Sequence, residues 1–365
     1  MFARTANILN AAGHEVWNFE RFNSEVIGVL GLLSASFSGL YSLGARNEFA
    51  SLLDHLHPDV VHVHSFLPLI SSSVFDACRE RQIPAFLRLA DFSLLCPAAH
   101  HFRNGIVCEN CLGGREFQCV VNKCRGGVLR SSAYAARTFV IRKRGYLLDL
   151  VQRFIAPSHF VKQKHLDAGI PGTKISVLYN PVPIPELPSV PADGDYIAYI
   201  GRVSEEKGIS VLMQAAQRCG LPIAIAGGCS PGPMCDMQIP KNVTFVGKLA
   251  SKALEQFYRG ARMVVVPSIC LESFGLSCAE GMAYAIPIIA SRVGALPELL
   301  EGGECGLLVE PGCATELASA MADLWNHPGE GKRIGMKARE KASSDFSPSS
   351  YCTNLLSLYS QSLNR

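Results

Sequence analysis

Short β-branched runs alternate with amphipathic helical patterns along nearly the whole chain, and this alternation limits the fold more than any other feature. In the first half the expected strands are EVWNF (15–19), DVVHVHS (59–65), PAFLRLAD (84–91), RFIAPS (153–158) and ISVLYN (175–180). Segments with helical spacing, such as NEFASLLDHL (47–56) and SSVFDACRER (72–81), lie between them. The second half repeats the pattern. YIAYIG, PIAIAGG, NVTFVGK, MVVVPS and PIIAS read as strands, and ISVLMQAAQRCG, LASKALEQFYRGA and ATELASAMADLWNHP as helices. Strand and helix in alternation predict parallel sheets with helices on both faces.

The stretch 181–191, PVPIPELPSVP, holds five prolines and cannot be helix or central strand. It predicts a break between two α/β domains, 1–180 and 181–345, with a last helix over 346–365 packing back toward the first. The chain has 365 residues, enough for two domains of ordinary size. Doubly wound domains of this kind bind ligands beyond the carboxyl ends of their strands, here expected in a cleft between the two.

Composition excludes several classes. A net charge of +3 is too small for nucleic acid to be the main partner. No run of 18 uncharged apolar residues is present, and the start MFARTANILNAAGHEVWNFE has no apolar core followed by a cleavage site. A cytoplasmic chain is therefore expected.

Two loops carry candidate chemistry. IGRVSEEKG (200–208) follows a strand and precedes a helix. Gly201 permits a tight turn, and Arg202 and Lys207 can clamp a diphosphate. A solvated polar loop is the competing reading. In PSICLESFGLSCAEGMAYA (267–285), Glu272 lies in a loop and Glu280 in the first turns of a helix. Gly275 allows close backbone approach, and the amides after it open toward an anion. Glu280 can accept from both hydroxyls of a ribose, and Glu272 can bind sugar hydroxyls. Alternatively, Glu280 complements the helix dipole and Glu272 is an exposed loop charge.

GRVSEEKG, AGG (226–228), FVG (245–247), LESFGLSCAE with its E-x7-E spacing, and VGALPE (293–298) occur in this order. The series resembles the retaining glycosyltransferases of family four. That resemblance implies a GT-B fold of two Rossmann-like domains, with Arg202 and Lys207 on the donor diphosphate and Glu280 on the ribose. Glu272 and the Phe274–Gly275–Leu276 backbone would contact the transferred sugar. Val246 and Gly247 would lie near the base, and Gly201 and Gly228 beside the donor. GHEV, PDVVHVHS, LLCP, APSHFVKQKHLDAG and VLYNPV match the acceptor half more loosely, and place His64 and Asp91 on the acceptor side. The implied donor is a UDP-, GDP- or ADP-sugar, and the implied acceptor a glycan or lipid-linked glycan of the cell surface. No Asp-x-Asp metal motif is visible, so no catalytic metal is expected.

Two departures from the family pattern stand out. Ala90 precedes Asp91 where the subgroup has a histidine expected to face the transferred sugar. And only twelve residues precede Gly13, where the pattern has a strand and a glycine-rich loop. The first strand of the domain is therefore expected to be missing, which predicts an impaired form or a longer natural chain. A catalytically impaired sugar-nucleotide-binding module is the alternative function.

Between residues 96 and 124 the chain reads CPAAHHFRNGIVCENCLGGREFQCVVNKC. Cys108, Cys111, Cys119 and Cys124 suit a tetrahedral structural zinc, with Cys96, His100 and His101 as spare ligands. Unrelated thiols, a disulfide and an iron–sulfur site are the alternatives. Arg130, Arg137, Arg142, Lys143 and Arg144 recur among apolar residues over 129–153. This segment predicts either peripheral contact with an anionic membrane or the ordinary basic face of a helix.

Overall fold

The computed structural model describes residues 1–21, 41–67, 69–189, 194–228 and 238–363. The chain divides into two compact units. The first comprises Met1–Arg103, Cys108–Leu178 and Cys352–Arg365; the second comprises Asn104–Val107 and Tyr179–Tyr351.

The first unit runs α1 (Phe2–Ala11), α2 (Leu43–Leu56), β1 (Val61–Val63), α3 (Ser73–Glu80) and β2 (Ala85–Arg88). Next along the chain come β3 (Phe102–Arg103), then β4 (Ile106–Val107) within the short segment assigned to the second unit, then α4 (Phe117–Val121) and α5 (Val128–Lys143) of the first. β5 (Arg153–Ala156), α6 (His159–Asp167) and β6 (Ile175–Val177) complete it. The sheet order is β1-β2-β5-β6, all parallel. Every residue of β2 is buried, as expected of a parallel strand covered on both faces. Serines set the helix starts: the Ser42 hydroxyl accepts from Ala45 N–H (3.2 Å) and Ser158 from Val161 N–H (3.1 Å).

The second unit runs β7 (Tyr196–Ile200), α7 (Ile209–Cys219), β8 (Ile223–Ala226), β9 (Val243–Gly247), α8 (Ser251–Arg259) and β10 (Ala261–Val266). Then come α9 (Leu276–Ala283), β11 (Ile288–Ser291), α10 (Leu296–Leu299), β12 (Leu307–Val309), α11 (Ala314–Asn326) and α12 (Pro328–Asp345). The last helix, α13 (Pro348–Leu363), belongs to the first unit from Cys352 onward. The sheet order is β12-β11-β10-β7-β8-β9, and every pairing is parallel. Ile197, Ile225, Met263, Val265 and Ile289 build one core against α7 and α11.

The parallel α/β class expected from the alternation is what forms. One strand expectation fails. Residues 15–19 form no ladder. They line a cavity of about 980 Å³ whose other walls come from α1, α2, α13 and β1. Among the described residues β1 pairs on one side only, with β2. EVWNF has the alternation of a strand but pairs with no strand among the described residues, and pairing is what makes a strand. The proline run is coil over its described part, 181–189, and is tied down: Val182 is buried and donates to the Phe346 carbonyl (2.8 Å).

Candidate functional site in the second unit

The chain lays down β7, β8 and β9 in one direction, then returns to place β10 on the other side of β7. The crevice at such a reversal, beyond the carboxyl ends of the strands, is where open α/β sheets bind ligands. The loops that leave β7 and β10 flank it. They are the two segments singled out from sequence, 201–208 and 267–275.

Backbone contacts lock these loops together. Ile269 and Cys270 N–H both donate to the Glu206 carbonyl, at 3.0 and 3.2 Å. Ala295 N–H donates to the Glu272 carbonyl at 2.9 Å. Gly294 has φ +63°, and a Cβ there would lie 2.4 Å from the Glu272 backbone. Gly227 passes so close to Gly201 that a Cβ would sit 1.8 Å from its carbonyl oxygen.

On this frame Lys207 Nζ donates to Glu272 Oε1 at 2.6 Å, and the Ser268 hydroxyl donates to the same oxygen at 2.5 Å. Both charged side chains are largely buried. Glu272 is therefore not a solvated loop charge. Arg202 is different: its side chain is 68% exposed and reaches Glu206 at 3.2 Å, a contact worth little at a surface. The Tyr199 hydroxyl donates to the Arg202 carbonyl at 2.6 Å and fixes the loop beneath it.

Gly275 takes φ +97° at the N-terminus of α9, where no side chain caps the helix. The first amides of α9 therefore lack intrahelical acceptors, an arrangement whose geometry suits an anion. Phe274 is buried against Tyr179 and Phe346, so only its backbone can serve a ligand. Leu276 is exposed. Glu280 accepts from the Tyr258 hydroxyl at 3.0 Å. Tyr258 is buried and stacks on Tyr284, and burial together with the Glu280 charge pushes its pKa well up. A carboxylate has about four lone-pair sites, and the Tyr258 hydroxyl uses one of those on Glu280. Val246 and Gly247 end β9, where Val246 is exposed, and Gly228 is exposed at the last described position before residue 238.

Ser268 and Tyr258 are the members that sequence reading missed. If Glu280 binds a ribose, Glu280→Gln should weaken nucleotide binding while keeping an acceptor for Tyr258. Glu280→Ala should cost roughly 1.5–3 kcal/mol of binding, the range for a hydrogen bond to a charged group. Unchanged affinity by calorimetry would remove Glu280 from the site.

In the first unit, His64 and Asp91 line one small pocket at the ends of β1 and β2. Burial first, then the Arg88 cation, pushes His64 down to about 3, so its ring is neutral. His62 Nδ1 lies 2.7 Å from the Tyr359 hydroxyl, and its ring stacks on His64.

The cysteines partly converge. Cys111 and Cys119 are buried and pack with Cys124 and Ala135, and burial pushes both thiols up to about 12. Cys108 donates its N–H to the His101 carbonyl at 2.8 Å. Every described cysteine is a free thiol. Among the described residues no three His, Cys, Asp or Glu side chains come together closely enough to hold a metal.

The basic segment 129–153 is not one solvated face. Arg137 is 5% exposed, Arg142 pairs with Glu116 at 2.5 Å, and Arg144 pairs with Asp76 at 2.9 Å. Arg130 is exposed, as are the apolar Val128, Leu129 and Phe139. Among the described residues no helix is long and apolar enough to cross a membrane.

Residues 194–327 match the family described as Glycosyl transferases group 1. D-inositol 3-phosphate glycosyltransferase of Mycobacteroides abscessus is 33% identical over 183 residues, 47% of this chain and 40% of that protein. The chain thus spans less than half the length of that curated relative. Sucrose-phosphate synthase of Thermosynechococcus elongatus superposes with a TM-score of 0.70 at 20% identity, over 99% of this chain and 92% of that one. HepE of Anabaena, solved in complex with UDP and glucose, superposes at 0.66 and 19% identity, over 86% and 81%. The chain thus has the GT-B α/β fold, and its residues 194–327 match the group 1 glycosyl transferases.

Proposed function

We propose that the chain is a retaining glycosyltransferase that uses a UDP-, GDP- or ADP-sugar without a catalytic metal. The carrying observation is the loop pair at the strand-order reversal, where Lys207, Ser268 and Glu272 are joined beside the open end of α9. Lys207, Arg202 and the α9 amides would hold the donor diphosphate, in place of a divalent ion. Glu280 would take the ribose, and Glu272 the transferred sugar.

In the reaction the bond from the anomeric carbon to the diphosphate oxygen breaks. A bond to the acceptor oxygen forms on the same face, and the acceptor proton passes to a donor phosphate oxygen. The protein contributes orientation and stabilises the departing charge. The acceptor is a glycan or lipid-linked glycan of cell-surface polysaccharide synthesis, with His64 and Asp91 on its side. Leu129 and Arg130 on α5 suit contact with an anionic membrane. A binding screen of UDP-, GDP- and ADP-sugars, then turnover with the best donor, tests the proposal. Failure of all three to bind would overturn it.

Ala90 supports a second reading, a sugar-nucleotide-binding module with impaired transfer. Tight donor binding with no transfer to any glycan acceptor would favour it.

We further propose a structural zinc on Cys108, Cys111, Cys119 and Cys124. Their thiols must shed protons on binding and draw together, so affinity should rise with pH. The expected result is about one zinc per chain in protein purified without added metal. Four freely titrating thiols and no zinc would defeat it. Chelation should leave donor binding intact, since the two sites lie in different units.

A further inference from the structure

Positive charge is concentrated in one stretch of the chain. Residues 103–144 hold nine arginines and lysines against two glutamates, whereas the whole chain has a net charge of only +3. The rest of the chain is therefore net negative. Between Glu116 and Asp149 the sequence contains no carboxylate. A basic helix face kept for solvation usually carries acidic partners one turn away, and α5 has none of its own.

The end of α4 and the start of α5 form a tip. The loop 122–127 that joins them is tied to both helices. Cys124 N–H donates to the Cys119 carbonyl (3.1 Å), and Arg125 N–H to the Ser131 hydroxyl (3.1 Å). Cys119 of α4 and Ala135 of α5 pack in one small core. Val121, at the end of α4, and Val128 and Leu129, at the start of α5, therefore lie at the same end of the pair. They are 68%, 54% and 71% exposed. Phe117, one turn before Val121, is also exposed. Single exposed apolar side chains are ordinary, but four beside one loop mark a contact surface.

Charge decides what that surface meets. Four of the nine cations are engaged within the fold. Arg137 is buried, Arg142 pairs with Glu116, Arg144 pairs with Asp76, and Arg125 stacks 4.2 Å from the Tyr134 ring centre. Lys123 and Arg130 are exposed, each within two residues of an exposed apolar side chain. Arg130 stands in the first turn of α5, where the helix dipole opposes a cation, and no acidic residue or capping side chain offsets it there. An external anion would. Apolar side chains with cations directly beside them match the boundary of an anionic bilayer, where acyl chains and charged headgroups adjoin.

We infer that this tip seats the first unit on an anionic lipid bilayer, with Val121, Val128 and Leu129 entering the interface and Lys123 and Arg130 on the headgroups. The inference deepens the proposed membrane contact by naming its seat and its lipid class. Its use in reaching a lipid-linked acceptor rests on the proposed glycosyltransferase function; the binding itself does not.

The test sediments the 365-residue chain with vesicles of phosphatidylcholine alone and of equal parts phosphatidylcholine and phosphatidylglycerol. The chain should bind the mixed vesicles far better, and added salt should weaken that binding. Each cation near an anionic surface strengthens binding roughly fivefold, so Lys123→Gln with Arg130→Gln should lose about tenfold or more. Lys332→Gln with Arg333→Gln removes the same charge from exposed positions on α12 of the other unit and should lose little. Leu129→Trp should shift its emission to the blue on the mixed vesicles, beyond any change in the wild type, which has two tryptophans. All five substituted side chains are exposed, so the variants should fold, and a thermal melt checks this. Should the tip charge pair fail to fold, the wild-type lipid preference and Leu129→Trp decide. Equal losses from the two charge pairs, equal binding to both vesicles, binding to neither, or an unmoved Leu129→Trp emission would overturn the inference. Binding to the mixed vesicles by a chain that binds no nucleotide sugar would instead count against the proposed function and leave the inference standing.

Discussion

Lys207→Ala is expected to lower kcat/KM for sugar transfer by roughly 10²- to 10³-fold, the usual loss when one preorganised donor to a developing anion is removed. The geometry argues for the upper part of that range. Lys207 Nζ sits 2.6 Å from Glu272 Oε1, and the Glu272 side chain is only 12% exposed. On the proposed assignment, truncating the lysine removes a cation from the phosphates; it also leaves a buried carboxylate with the Ser268 hydroxyl as its remaining bonded partner there. That carboxylate would then repel the incoming diphosphate.

Two comparisons separate these effects. Nucleoside diphosphate should weaken more than the bare nucleoside, because the proposed place of the lysine is at the phosphates. Adding Glu272→Gln to Lys207→Ala should recover part of the nucleotide affinity while transfer stays low. Equal losses for nucleoside and nucleoside diphosphate would contradict the assignment of Lys207, and no recovery in the double variant would contradict the repulsion.

What the sequence made legible is local. The turn after β7 could be read from Gly201 because it lies between a β-branched run and an amphipathic helix; Gly208, at the end of the same loop, takes φ +72°. The start of α9 could be read from Gly275 for the same reason. Pairing is not local. EVWNF and YIAYIG look alike as strings, yet only the second has strands on both sides. β12 was missed because Leu307–Val309 is three residues long, too short for a periodic signal.

Side-chain commitments are equally non-local. Ser268 and Tyr258 reach Glu272 and Glu280 over four and 22 residues, and Tyr258 in QFYRG looks like any aromatic on the inner face of a helix. Arg144 looked like part of a basic face until folding brought it to Asp76, 68 residues away. Nor does spacing bring four thiolates to coordination distance. It places Cys111, Cys119 and Cys124 in one small cluster and goes no further.

The second large effect concerns the fold of the two loops that carry Lys207 and Glu272. Gly208 is both the N-cap of α7 and the point where the loop after β7 meets the loop after β10. A Cβ at Gly208 would lie 1.8 Å from the Pro267 carbonyl oxygen, which is backbone and cannot rotate away. Gly220, at the other end of α7, has a similar φ of +67° but nothing within 4 Å of its Cβ. The two glycines therefore share the left-handed backbone and differ in the contact. Left-handed strain alone costs about 1–2 kcal/mol. Gly220→Ala should lower Tm by about 2–8 °C, at 2–4 °C per kcal/mol for a unit of this size. Gly208→Ala carries the same strain and must also push apart the loops that bear Lys207 and Glu272. A loss of roughly 4 kcal/mol or more is expected, hence about 8–16 °C, together with loss of donor binding in whatever fraction stays folded. Calorimetric melts of the two variants, with and without nucleotide, decide the matter. Equal Tm losses for both, or normal donor affinity in Gly208→Ala, would mean that the loops do not depend on this contact to keep Lys207 and Glu272 together.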